Sequence, residues 1–236
     1  MYKNKKILVV IPARSLSKGI KNKNIIKLNG KPLFAHSINY AKKSKIVDKI
    51  IVSTDSLKYV AIAKKYKAEA PFLRSKKLAG DLVPDYPVIY DSLIKSEKFF
   101  KFKFDYVVLL RPTSPQREKG LIEKGIKILH ARKSATSIRS VVKTYSHPYR
   151  HFLINTKGIM KAIIKNIKEP YNLERQLLPK FYFQSGDLEI IKRKTLINGS
   201  VSGNNMLPLL INNYNSIDVD NINDLKKINK INKKTN

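Results

Sequence analysis

The stretch Lys6-Ile-Leu-Val-Val-Ile11, continued by Pro12-Ala-Arg-Ser-Leu-Ser-Lys-Gly-Ile-Lys-Asn-Lys-Asn24, decides how the rest of the chain is read. Its first half is a short unbroken apolar run stopped by a proline, the pattern of a strand buried on both faces of a parallel sheet. Its second half is a loop carrying Arg14, Lys18, Lys21 and Lys23, with Ser15, Ser17 and Gly19 leaving the backbone accessible. Ligands of open α/β sheets gather beyond the carboxyl ends of the strands. A cationic loop at that place is therefore suited to phosphates. The loop fits neither GxxxxGK[ST] nor GxGxxG, so it is not a P-loop or a dinucleotide fingerprint.

Working outward, apolar residues at helical spacing from Pro32 to Lys45 precede a second β-branched run, Lys49-Ile-Ile-Val-Ser53, which completes a β-loop-α-β unit. Helices are predicted over Leu57–Lys67, Val88–Phe99 and Glu118–Ala131, and strands over Tyr106–Leu110 and Ser134–Val142. This alternation predicts a doubly wound, mostly parallel sheet of Rossmann type. Between Lys143 and Pro179 the pattern loosens into short segments with Tyr145, Tyr149, Phe152 and Tyr171, which reads as an inserted arm of a single domain spanning 1–236. Exposed aromatics on such an arm suit a homodimer contact, and a loop folded over the chain's own core is the alternative. Ser216–Val219 reads as a last strand, and Asn221 to Asp224 as the cap of a helix running to about Ile231.

The composition narrows the chemistry. Without cysteine there is no disulfide framework, thiolate zinc site or cysteine nucleophile. The five-residue apolar run near the N-terminus is too short for a signal-peptide core or a membrane span, so a cytoplasmic location is expected. The net charge of +31 would suit a nucleic-acid or membrane-surface binder, but the lysines are spread over nearly every segment and form no stripe. They read as a solvated basic surface that also attracts anionic substrates.

The Pro12–Asn24 loop resembles the signature loop of the acylneuraminate cytidylyltransferases, A-R-x-x-S-K-G followed by K-N. The similarity continues in order through Ser53-Thr-Asp-Ser56, Leu73-Arg74 with Leu78-Ala-Gly-Asp81, Leu109-Leu-Arg-Pro-Thr-Ser-Pro-Gln-Arg117, Arg175-Gln-Leu-Leu-Pro179 and Ser216-Ile-Asp-Val-Asp220. The resemblance implies a nucleotide-diphospho-sugar transferase type of fold and transfer of CMP from CTP to an acidic nine-carbon sugar. It places Arg14 and Lys23 on the CTP phosphates, with Ser17 and Asn24 in the same loop, and Arg74 at the cytosine pocket. Arg111, Thr113 and Arg175 fall at sugar-site positions, and Asp218 and Asp220 at those of the carboxylates that hold magnesium, or manganese in its place. The carboxylate pair is also intelligible alone, because residues i and i+2 of a strand share a face and magnesium takes one or two carboxylates together with phosphates.

The chain departs from the family pattern at Leu16, where the residue is usually small or polar, and at Arg111, where Gln is common. Gln184-Ser-Gly-Asp187 stands in place of Pro-Asn-Gly-Ala. The identity of the sugar is therefore open, a CMP-Kdo synthetase being the nearer alternative and a non-catalytic nucleic-acid binder the farther one. Asp55, just after the second strand, is expected to cap the next helix. His147 is expected to pack rather than to act as a ligand.

Overall fold

The computed structural model describes residues 1–17, 19–144, 146–212, 218–221 and 223–228. In chain order its elements are β1 (Ile7–Pro12), β2 (Lys27–Leu28), β3 (Lys31–Pro32), α1 (Leu33–Lys42), β4 (Lys49–Ser53), α2 (Leu57–Lys65), α3 (Asp85–Phe100), β5 (Tyr106–Leu109), α4 (Leu121–Ala131) and β6 (Ser137–Lys143). Then come β7 (Phe152–Ile154), β8 (Met160–Ala162), β9 (Tyr182–Lys192), α5 (Arg193–Ile197) and β10 (Met206–Leu210). Among the described residues the main sheet has six strands in the order β10-β6-β9-β5-β1-β4. β1 pairs in parallel with β4 and β5, and β10 with β6, whereas β9 runs antiparallel to both of its neighbours. The sheet is thus mostly parallel and wound on both faces, as the alternation of elements predicts.

The apolar run at the start of the chain explains why β1 is central. Ile7, Val9 and Ile11 point into one core with Phe34, Ile38 and Ile126, while Leu8 and Val10 point into the other with Ile89, Leu93 and Phe104. A strand that alternates between two cores must be apolar at every position. β5 repeats the device, with Val108 on one side and Val107 and Leu109 on the other.

β9 is the longest of the elements that the periodicity does not reveal. Its apolar residues are interrupted by Gln184-Ser-Gly-Asp187, which looks like a turn, and the interruption is a wide bulge. β6 pairs Arg139 with Glu189 but Val141 with Gln184, so the residues between Gln184 and Glu189 stand opposite Ser140 alone. Ser140 Oγ fills the gap, accepting from Leu188 N at 2.9 Å and from Ser185 Oγ at 2.9 Å. Gly186 sits there at φ 76, in the left-handed region open to glycine, and an added Cβ would come within 3.1 Å of Ser114 Oγ.

Two expectations for the C-terminal part fall partly outside the described residues. The last strand of the described residues is β10, and the strand expected at 216–219 lies half outside them. Residues 216 and 217 lie outside the described residues, and Asp218 and Val219 belong to no strand. The helix that follows is described over 223–228, and the rest of its expected length lies outside. Its start is a reciprocal box: Asn221 Oδ1 accepts from the N–H groups of Asn223 and Asp224, and the Asp224 carboxylate accepts from those of Asp220 and Asn221.

Between β6 and β9 the chain leaves the main sheet. β7 and β8 form a separate antiparallel hairpin, and short 3-10 turns cover Pro148–Arg150, Pro170–Asn172 and Arg175–Leu177. His147 packs edge-on against Tyr149 and Phe181, each at 4.9 Å. Its Nδ1 accepts from Tyr149 N and its Nε2 lies 2.9 Å from Pro179 O, so the ring is used in holding this segment together.

Candidate active site

The carboxyl ends of β1, β4 and β5 open into a cleft of about 540 Å³. Its wall includes Arg14, Ser17, Lys23, Asn24, Arg74, Asp85, Arg111 and Thr113. Eight residues from four separate stretches of sequence therefore share one cavity, at the place where an α/β sheet receives its ligand.

The first loop is pinned to its neighbours at several points. Ala13 N donates to Ser53 O, and Ser15 donates through both its N–H and its Oγ to the two oxygens of Asp55, at 2.8 and 2.7 Å. Asp55 thus fastens the loop and does not cap α2, whose preceding residue Ser56 makes no side-chain cap bond. The expected capping role is displaced because two loop donors offer the carboxylate more than a helix end does. Asn24, buried, donates to Arg14 O at 2.8 Å and so braces the loop from inside. Leu16 is exposed on the loop's outer side, and Lys18 lies outside the described residues.

The cations of the cleft are held by partners distant in sequence. Arg14 donates to Gly80 O at 2.7 Å and pairs with Asp81 at 2.7 Å. Lys23 Nζ donates to Val219 O at 2.9 Å and lies 3.2 Å from Asp220 Oδ1. Arg74 is 5% exposed and donates to the Ser53 hydroxyl and carbonyl. Burial draws its pKa down to about 10, with the Asp55 charge opposing, so it is still a cation at neutral pH.

The acidic segment meets the cationic loop. Val219 is buried with Leu28, Leu33 and Leu225 and donates its N–H to Thr113 O, which fixes the segment beside the cleft. Asp218 and Asp220, on either side of it, are exposed. Gly19 lies so close to Asp220 O that an added Cβ would stand 2.9 Å away. Among the described residues no three His, Cys, Asp or Glu side chains gather to hold a metal unaided. Two exposed carboxylates beside a phosphate-sized cationic cleft do fit magnesium, a hard ion that commonly completes its shell with phosphate oxygens and water.

A cytidylyltransferase family model matches residues 8–83, the part that carries β1, the first loop and Arg74. The CMP-N,N'-diacetyllegionaminic acid synthase of Legionella pneumophila is 36% identical over 91% of this chain and 91% of its own. That of Campylobacter jejuni is 34% identical over 93% and 92%. The chain belongs to the acylneuraminate cytidylyltransferase family. The post-translational flagellin modification protein B of Campylobacter coli is 35% identical over 93% of this chain and 92% of its own. A CMP:2-keto-3-deoxy-manno-octonic acid synthetase solved with CTP superposes with a TM-score of 0.71 over 98% of this chain and all of that one, at 15% identity, and so shares the fold.

In this cytidylyltransferase one site residue expected from the sequence stands apart. Arg175 is exposed on the excursion between β6 and β9 and does not line the cleft. Other contributors carry no sequence role. Arg117, at the end of the Leu109–Arg117 motif, sends its guanidinium to Asp187 O, Ser37 Oγ and Arg111 O, tying β9, α1 and the end of β5 together. Burial draws its pKa down to about 10 against the opposing charge of Asp187. Glu189, buried on β9 and paired with Arg111, is a second such contributor and the more detectable of the two, because a lone carboxylate inside Leu188-Glu-Ile-Ile191 implies a buried charge with a partner.

Proposed function

We propose that the chain transfers CMP from CTP to the anomeric hydroxyl of a sialic-acid-like nonulosonic acid. The hydroxyl oxygen forms a bond to the α-phosphorus, the bond from that phosphorus to the bridging oxygen of the β-phosphate breaks, the hydroxyl proton is released, and pyrophosphate leaves. The observation that carries this reading is the meeting of Lys23 and Asp220, 197 positions apart, at 3.2 Å beside a cleft lined by Arg14, Asn24 and Arg74. Arg14 and Lys23 hold the triphosphate, Ser17 and Asn24 shape the loop around it, and Arg74 borders the cytosine. Thr113 and Arg111 face the sugar.

In this reaction the protein is asked chiefly to position two anions and to offset the charge on the phosphoryl oxygens. Asp218 and Asp220 would hold a magnesium ion, which when bound supplies a further positive charge at the phosphates. A positive cleft lowers the repulsion between a carboxylate sugar and a triphosphate.

We also infer a cytoplasmic homodimer joined through the arm. Among the described residues, nine of the nineteen exposed large apolar side chains fall between Leu153 and Phe183, a density that calls for a cover. No helix among the described residues is long and apolar enough to cross a membrane.

The deciding assay is pyrophosphate release from CTP with a panel of sialic, legionaminic and pseudaminic acids and Kdo. Turnover with at least one nine-carbon acid is expected, and turnover with Kdo alone would assign the chain to the neighbouring activity. The net charge of +31 motivates one rival. Tight, steeply salt-dependent binding of random duplex DNA with no CTP consumed would favour a nucleic-acid binder.

A further inference from the structure

The Leu78-Ala-Gly-Asp81 motif has no part in the transfer chemistry described above, yet Leu78, Gly80 and Asp81 line the cleft together with Leu82 and Val83. This segment joins a 3-10 turn at Lys76–Leu78 to α3. Arg14 Nη1 donates to Gly80 O at 2.7 Å, and Arg14 Nη2 lies 2.7 Å from Asp81 Oδ1. Both terminal nitrogens of the guanidinium are therefore engaged by adjacent residues of one segment. A fork that takes two oxygens side by side is the arrangement by which arginine binds a phosphate. Here a carbonyl and a carboxylate of the chain sit in the two places that phosphate oxygens would take.

A carboxylate that only orients an arginine leaves the fork facing the ligand. Asp81 does not, because it lines the same cleft as the phosphate that Arg14 is to receive. Phosphate approaching Arg14 meets the like charge of Asp81 at the guanidinium, so the two anions compete for one cation. The pair is open to that competition, the side chains of Arg14 and Asp81 being 29% and 28% exposed. Leu82, the next residue, is 95% exposed and holds the turn down with no apolar burial, while Ala79 and Val88 anchor its two ends in the interior. A stretch with a fixed base at each end and an exposed tip opens locally at low cost.

We infer that Asp81, with the Gly80 carbonyl, exchanges with phosphate on Arg14: it yields to the triphosphate of CTP and returns to the guanidinium as pyrophosphate leaves. Asp81 thereby lowers the affinity of the seat for both phosphate ligands, and the place that pyrophosphate gives up on Arg14 is refilled by the chain itself. The inference rests on the cytidyl-transfer reading and deepens it, because it assigns to Asp81 the control of phosphate occupancy at that site.

Binding of CTP and of pyrophosphate is measured by isothermal titration without acceptor sugar, first in EDTA and then with magnesium. Asp81→Asn keeps the shape and removes the charge, and it should lower Kd for both ligands about fivefold, the upper range for a part-exposed ion pair of close geometry. In an Arg14→Ala background there is no guanidinium to compete for, and the same substitution should change Kd by no more than about twofold. Inhibition of turnover by pyrophosphate should likewise strengthen in Asp81→Asn. An unmoved or higher Kd in Asp81→Asn would show that the carboxylate does not compete with phosphate, and tightening that persists in Arg14→Ala would trace it to the general field of the cleft. Either result overturns the inference, as does an effect confined to the magnesium titration, which would make Asp81 a metal ligand. A wild type that binds CTP neither with nor without magnesium would overturn the cytidyl-transfer reading itself, and the inference with it.

Discussion

Asp55 makes a sharp test of how the first loop is ordered, because it lies outside the cleft lining and acts through Ser15. Its carboxylate accepts two hydrogen bonds, from Ser15 N at 2.8 Å and from Ser15 Oγ at 2.7 Å, and Ser15 adjoins Arg14. Hydrogen bonds to a charged acceptor contribute about 1.5–3 kcal/mol each, and half-buried partners such as these belong at the low end. Asp55→Ala therefore costs the ordered loop about 3 kcal/mol, which at 1.4 kcal/mol per decade is roughly a hundredfold rise in KM for CTP. Asp55→Asn keeps one neutral acceptor worth about 1 kcal/mol, so it loses about 2 kcal/mol and raises KM roughly thirtyfold. Pyrophosphate release at saturating sugar measures both, and KM for the sugar should stay within about twofold, a margin below the 1.4 kcal/mol that a decade represents. Ser15→Ala removes the hydroxyl bond alone, and its effect should not add to that of Asp55→Ala. An Asp55→Ala enzyme with unaltered KM for CTP, or strict additivity with Ser15→Ala, would refute the reasoning.

Three other perturbations follow from the same geometry. Asp220→Asn should lower kcat by about a hundredfold or more at saturating magnesium, in the range expected when a charge-stabilising group is lost, while binding of CTP changes little; equal turnover would remove the metal assignment. Arg117→Ala leaves a buried cluster of acceptors on three elements without their donor, a loss of about 3–5 kcal/mol that thermal unfolding should register as a fall in Tm of roughly 10 °C for a chain of this size. Arg117→Lys should recover only part of it, because an ammonium lacks the fork that spans those three acceptors. Charged replacements at Leu153 and Ile154 should convert the proposed homodimer to monomer by light scattering, and a wild-type chain that is already monomeric at micromolar concentration would dismiss the proposal.

The fold was legible where both faces of an element are buried. β1 and β5 announce themselves because each of their side chains must enter one of two cores. β9 was not legible, since a bulge at Gly186 breaks its pattern and only the Ser140 hydroxyl in β6 shows why the strand continues. The arm was visible as a loosening of pattern, but not its hairpin, whose strands are three residues each and largely exposed.

For the site, it was the resemblance of ordered motifs to a known family that grouped the first loop, Arg74, Arg111 and the acidic pair as candidates for one chemistry. It could not say which of 48 lysines and arginines are engaged, and with what. Arg14 finds its partner 66 positions away and Lys23 finds Asp220 at a separation of 197, distances that neither helical nor strand periodicity carries. Arg111 could be placed from its motif, yet its charge is compensated by Asp85 and Glu189, which reach it from other elements. Local sequence determines which residues alternate, cap and turn, because those depend on neighbours a few positions apart. Charge compensation depends on whatever the folded sheet brings within hydrogen-bond reach, and only the tertiary structure decides that.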